Sequence, residues 1–199
     1  MTLFRNLALA VAAFALTACS GGSTAPVEGD MALGAAEGAK VTVVEYASVT
    51  CGHCATWQEQ VWPEFKARYV DTNKVRYVFR EFPTDPAPVA IAGFLMARCA
   101  GPDKYFPVIH EIMASQRELF TAAPRPVLLR IANGAGLSEQ QFQDCVTNED
   151  AITAMDTRIK SALDAGINGT PTFMVNGEKV ADSSLAGLSE KVDAALAAG

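Results

Sequence analysis

The chain has 199 residues, is 50% hydrophobic and carries a formal charge of −6 at pH 7. That length and apolar content suit one globular domain with a sizeable core. The acidic balance, with lysine and arginine scattered singly, excludes the basic run that would follow a phosphate backbone, so no nucleic-acid partner is expected.

At the amino terminus Arg5 precedes an apolar run, Leu7 to Leu16, that is too short to span a bilayer. Residues 1–18 therefore read as a secretory signal outside the fold. Leu16-Thr17-Ala18-Cys19 resembles the lipobox of bacterial lipoproteins, which implies cleavage before Cys19 and lipidation of that cysteine; ordinary signal cleavage nearby is the alternative. Five cysteines in an oxidising compartment leave one odd, and acylating Cys19 leaves four for two pairs. Residues 19–39, rich in Gly, Ala and Ser, are expected to be a flexible tether.

Val41 to Ser48 is the first expected strand, apolar enough to lie centrally in a sheet. Glu45 is the exception inside it. A buried acid is costly unless paired or protonated, so it is either a proton acceptor near a thiol or a structural ion-pair partner. The strand runs through a short turn into Cys51-Gly52-His53-Cys54 and then into a helical pattern. Free N–H groups and the positive dipole end at a helix start favour an anion, so Cys51 is expected to be an exposed nucleophile of low pKa. Cys54, one turn deeper on the same face, is the resolving thiol, and His53 can lend the Cys51 thiolate a hydrogen bond or positive charge. A zinc site needs two further ligands, and there is no second Cys-x-x-Cys and one other histidine, His110, so no metal is expected.

The helix from Cys51 carries Trp57, Val61 and Trp62 and should kink or split at Pro63. A second strand is expected over Val75 to Phe82, stopped by Pro83 and Pro86. Residues 84–165 read as successive helices, marked by stripes at Ala92, Leu95 and Met96, at Phe106, Ile109 and Met113, at Val127, Leu128 and Ile131, and at Ile152, Met155, Ile159 and Leu163. Ser138 with Gln141 forms a capping box. His110 is expected to have no catalytic part. Cys99 and Cys145 lie on apolar faces of these helices and, in a secreted chain, either pair as a structural disulfide or remain two buried thiols. Strands return at Thr172 to Val175 and Glu178 to Ala181 around an Asn176-Gly177 turn, preceded by Gly169-Thr170-Pro171, a candidate cis-proline loop. Leu185, Leu188, Val192 and Leu196 mark a closing helix.

This order of strand, Cys-x-x-Cys helix, strand, helical insertion, Thr-Pro, hairpin and helix resembles the thioredoxin superfamily. The long insertion and His53 make it most similar to the DsbA family of bacterial envelope oxidoreductases. The resemblance implies an α/β thioredoxin-like core, residues 40–83 and 166–199, around an inserted helical subdomain at 84–165. It also implies Cys51 and Cys54 as the redox pair, Glu45 as the buried acid, and Thr170 and Pro171 as the loop that offers backbone groups to a client peptide. Cys99 and Cys145 are similar to the second disulfide of some members. Gly52-His53 is closer to protein disulfide isomerases than to the Pro-His usual in DsbA, and Thr170 stands where Val is usual, so an isomerase or reductase remains an alternative to an oxidase. A metal-handling or chaperone module is the alternative from another class. The chain has no N-terminal dimerisation domain of the DsbC kind, so a monomeric oxidase is expected. The resemblance further implies no cofactor beyond the Cys51–Cys54 disulfide, partly folded secreted proteins as clients, a quinone-linked membrane partner resembling DsbB, and a periplasmic, lipid-anchored location.

Overall fold

Val43, Val44 and Tyr46 leave strand β2 (Thr42–Ala47) apolar on both faces, and both faces are buried. A computed structural model describes residues 26–198 and places β2 third in a five-stranded sheet of order β1-β3-β2-β4-β5. The partners are β1 (Met31–Gly34), β3 (Arg76–Glu81), β4 (Thr172–Val175) and β5 (Glu178–Val180). β2 and β3 run parallel and every other neighbouring pair is antiparallel. A parallel pair needs a long crossover. It is supplied by α1 (Gly52–Gln60), α2 (Trp62–Phe65) and one π-helical turn, Lys66–Val70. Pro63 does split this run: α1 stops at Gln60, and the proline falls in the first turn of α2, where its missing N–H would have had no partner.

Alternation along the strands sorts two cores. Val43, Ala47, Tyr77, Phe79 and Phe173 pack with Trp57, Phe65 and Phe94, while Val44, Tyr46, Val78 and Met174 pack with Ala162 and Ile167 on the opposite face. Between β3 and β4 the chain forms α3 (Ala87–Cys99), α4 (Pro102–Ala114), α5 (Gln116–Thr121), α6 (Pro124–Gly134), α7 (Glu139–Val146) and α8 (Glu149–Asp164). The Ser138–Gln141 capping box opens α7, and a Cys99–Cys145 disulfide with Cα atoms 6.1 Å apart joins α3 to α7. Asn176 and Gly177 both take positive φ, 47° and 87°, as a type I′ turn requires, and α9 (Leu185–Ala197) closes the chain.

Two features depart from the expectations. Part of the expected tether, residues 31–34, is a sheet strand: Met31 to Gly34 pair antiparallel with Phe79 to Arg76 along the open edge of β3. Asp30 clamps Arg80 with a two-pronged ion pair at 2.9 and 2.8 Å. Small residues look like linker locally, but a free sheet edge takes any short apolar run that reaches it. Gly34 is a packing requirement there, since a Cβ would lie 2.5 Å from the Val75 carbonyl oxygen. Leu163, counted in the last helical stripe, is instead 55% exposed, on the side of α8 away from the sheet that its neighbour Ala162 packs against. The expected signal at residues 1–18 and the lipidation position Cys19 lie outside the described residues.

Glu81 at the end of β3 had drawn no notice in the sequence. It is buried and receives Arg98 at 2.5 and 2.8 Å, Arg158 at 3.1 Å and the Tyr105 hydroxyl at 3.1 Å. One carboxylate thus ties α3, α4 and α8 to the sheet, and its lone pairs are met as a buried charge demands.

Candidate active site

Cys51 stands at the junction of sheet and helix because β2 ends in a turn tied down by hydroxyls. Ser48 Oγ accepts the Thr84 N–H at 3.1 Å, Thr50 Oγ1 lies 2.8 Å from the Thr84 carbonyl oxygen, and the Cys51 N–H reaches the Ser48 carbonyl at 3.1 Å. Cys51 is the N-cap of α1, and its sulfur accepts the Cys54 N–H at 3.2 Å. Across from it, the Thr170 carbonyl oxygen lies 3.5 Å from the same sulfur. The Thr170–Pro171 peptide bond is cis.

Both cysteines are free thiols, but in unlike surroundings. A hydrogen bond from the Cys54 side chain is the largest influence on Cys51, joined by the Thr170 side chain and the backbone N–H groups of Cys54 and His53. Against the opposing effect of burial they bring its pKa from 9.0 down to about 6. Cys54, with no exposed surface, is pushed far up, first by burial and then by its bond to Cys51. One sulfur is therefore a ready thiolate and the other holds its proton.

The structure revises two details of the sequence analysis. Cys51 is only 8% exposed, because the Thr170 loop lies over it. His53 aids the thiolate through its backbone N–H, while its side chain is exposed and makes no hydrogen bond among the described residues. Successive residues of a helix point about 100° apart, so the helix that turns Cys54 into the core turns His53 to solvent.

Glu45 lies in β2, on the sheet face that carries Val43 and Ala47, and is 1% exposed. Burial is the main cause that raises its pKa from 4.5 to about 8; a hydrogen bond from the Tyr77 hydroxyl works the other way. A charge on Glu45 raises the Cys54 thiol further, and a charge on Cys51 raises Glu45 in turn. His110 meets Trp62 and Phe106 edge to face, with ring centroids at 5.6 and 6.3 Å, and burial lowers its pKa to about 4, which leaves a neutral side chain at pH 7. Among the described residues there is no group of three or more His, Cys, Asp or Glu placed to hold a metal ion.

Gln116 carries no signal in the sequence that marks it for the site. This residue begins α5, a short helix that no stripe announced, and its Nε2 donates to the Val49 carbonyl at 2.8 Å and the Cys51 carbonyl at 3.0 Å. The helical insertion thereby holds the backbone at Cys51. A groove of about 490 Å³ opens beside this contact, between Gly52, Ala55 and Thr56 on one side and His110, Met113 and Gln116 on the other. Gln116→Leu keeps the volume and leaves two buried carbonyls without this donor. It is expected to cost about 2 kcal/mol in urea unfolding and to slow alkylation of Cys51.

A family model described as Thioredoxin matches residues 26–194. The chain belongs to the thioredoxin family. Within this family it is 36% identical over 174 residues to a Rickettsia conorii protein named as a protein-disulfide oxidoreductase, covering 85% of this chain and 61% of that one. The chain thus spans about three fifths of the length of that relative. Among solved structures, Wolbachia pipientis alpha-DsbA1 superposes with a TM-score of 0.78 at 25% identity, covering 86% of this chain and 92% of that chain. A thioredoxin-like oxidoreductase from Silicibacter pomeroyi DSS-3 gives 0.68 at 27% identity, covering 85% and 94%. This thioredoxin-family chain therefore has the DsbA-like form, a thioredoxin core with a helical insertion.

Proposed function

We propose that this chain is an envelope thiol:disulfide oxidoreductase that introduces disulfides into secreted proteins. The observation that carries the proposal is the pairing of a Cys51 thiol of pKa about 6 with a buried Cys54 whose pKa is driven far up, at a helix start that faces the Thr170 carbonyl. A dithiol polarised in this way passes electrons between sulfurs without a metal or organic cofactor.

In the proposed cycle, a client thiolate attacks Cys51 of the Cys51–Cys54 disulfide. A mixed disulfide forms, Cys54 leaves and takes a proton from Glu45. A second client thiolate attacks the client sulfur of that bond, the client disulfide closes, and Cys51 departs as a thiolate stabilised by the Cys54 side chain, Thr170 and the N–H groups of α1. The client loses two electrons and the enzyme ends as a dithiol. The Thr170 and Pro171 backbone lies where an extended client would run. Reoxidation by a quinone-linked membrane protein resembling DsbB completes the proposed cycle, with Cys54 returning its proton to Glu45. The apolar run before Leu16-Thr17-Ala18-Cys19 supports a periplasmic location with a lipid on Cys19.

The test is the reduction potential of the Cys51–Cys54 pair in glutathione buffers, together with oxidation of a reduced client and repair of a scrambled one. An oxidase shows a potential well above roughly −270 mV, the value for thioredoxin, and oxidises faster than it repairs. A potential at the thioredoxin value, or repair without net oxidation, rejects the proposal.

A further inference from the structure

Glu45 is a buried acid with one hydrogen-bonding side chain among the described residues, the hydroxyl of Tyr77 donating to its Oε2. Tyr77 comes from β3, the strand parallel to β2, and is 1% exposed. Its ring is held by aromatic neighbours, Trp62 of α2 at 4.5 Å and Phe106 of α4 at 6.1 Å. The ionisable groups that act on this pair are Cys51 at the helix cap, Cys54 on α1 and Tyr105 on α4; no arginine or lysine bonds to either member among the described residues. In so apolar a place an isolated carboxylate is prohibitively costly, and a neutral donor is the one group on hand to stabilise it.

We propose that Tyr77 is a positioning residue for proton transfer at Cys54: its hydroxyl, fixed by the aromatic walls and donated to Oε2, keeps Glu45 able to release and recover a proton as the disulfide opens and closes. The inference rests on the exchange chemistry proposed above. Without this bond the carboxyl would hold its proton to a still higher pH, and the fraction able to take the proton from Cys54 at a given pH would fall. Tyr77 itself remains a donor throughout, since burial, and then the Glu45 charge, hold its phenol well above the ordinary range.

Closure of the disulfide isolates the step. Protein carrying glutathione on Cys51, made with glutathione disulfide, closes when the Cys54 thiol gives its proton to Glu45, its sulfur attacks the Cys51 sulfur, and glutathione thiolate leaves. The rate of glutathione release against pH in the parent protein should rise with a midpoint at or just below 8, since the burial that chiefly raises Glu45 persists while the Cys51 charge that adds to it is gone. Tyr77→Phe should move that midpoint upward by about one to two pH units, as loss of a hydrogen bond to a charged group implies. The same replacement in a Glu45→Gln background should move nothing. Fluorotyrosine at position 77, a stronger donor of nearly the same shape, should move the midpoint down and covers the case in which Tyr77→Phe fails to fold. An unchanged midpoint in either Tyr77 variant, or an equal change without Glu45, overturns the role of Tyr77. No glutathione release from the parent at any pH defeats the exchange chemistry itself and the inference with it.

Discussion

Cys51→Ala is expected to reduce oxidation of a synthetic dithiol peptide to the rate seen without protein, while Cys54→Ala accumulates a mixed disulfide when mixed with a disulfide-bonded peptide. Both follow from the division of labour between the two sulfurs. Cys51, with a pKa of about 6, is mostly thiolate at pH 7, and without it no other free sulfhydryl among the described residues is ionised to any useful degree. Absorbance of the thiolate near 240 nm should therefore titrate with a midpoint near 6 in the parent protein. Because the Cys54 side chain is the largest influence lowering that value, the midpoint should rise in Cys54→Ala. The sign of the accompanying stability is fixed. A pKa lowered from 9.0 to about 6 gives the reduced protein a stability that is complete above 9 and lost as the pH falls through 6. Favouring the dithiol in this way makes the disulfide a better oxidant. A midpoint near 9 in the parent protein would defeat the account.

Glu45→Gln is expected to make folding more favourable as the pH rises, by an amount that grows between 4.5 and 8 and then levels off. The unfolded carboxyl ionises near 4.5, whereas the folded one holds its proton to about 8, so the folded state binds more protons across that window. Stability from this group is thus complete below 4.5 and lost as the pH climbs through 8. At about 1.4 kcal/mol per pH unit the full loss is on the order of 5 kcal/mol. Urea unfolding at pH 5 and pH 9, with Cys51 and Cys54 kept reduced, measures it: the gain from Glu45→Gln should be several-fold larger at pH 9. Equal gains at both values would show that the carboxyl is ionised throughout. A side chain that weakens the fold at neutral pH calls for a chemical reason to be there, and the proton exchange proposed for Cys54 would supply one.

The sequence by itself determined the local parts. Val43, Val44 and Tyr46 announce a central strand, Cys51 with Cys54 announces a dithiol at a helix start, Pro63 announces a break, Asn176-Gly177 a hairpin, and Ser138 with Gln141 a helix cap, because each depends on neighbours a few residues away. Glu45 was legible as an anomaly, an acid where a strand should be apolar. What the tertiary structure alone decided are meetings between distant segments: Tyr77 on Glu45, Gln116 on the Cys51 carbonyl, Arg98 and Arg158 on Glu81, and residues 31–34 along the edge of β3. None of these leaves a periodic or local signal. The pKa of a buried group is set by the sum of its desolvation and the few partners brought to it, and the backbone topology, not the spacing of letters, chooses those partners.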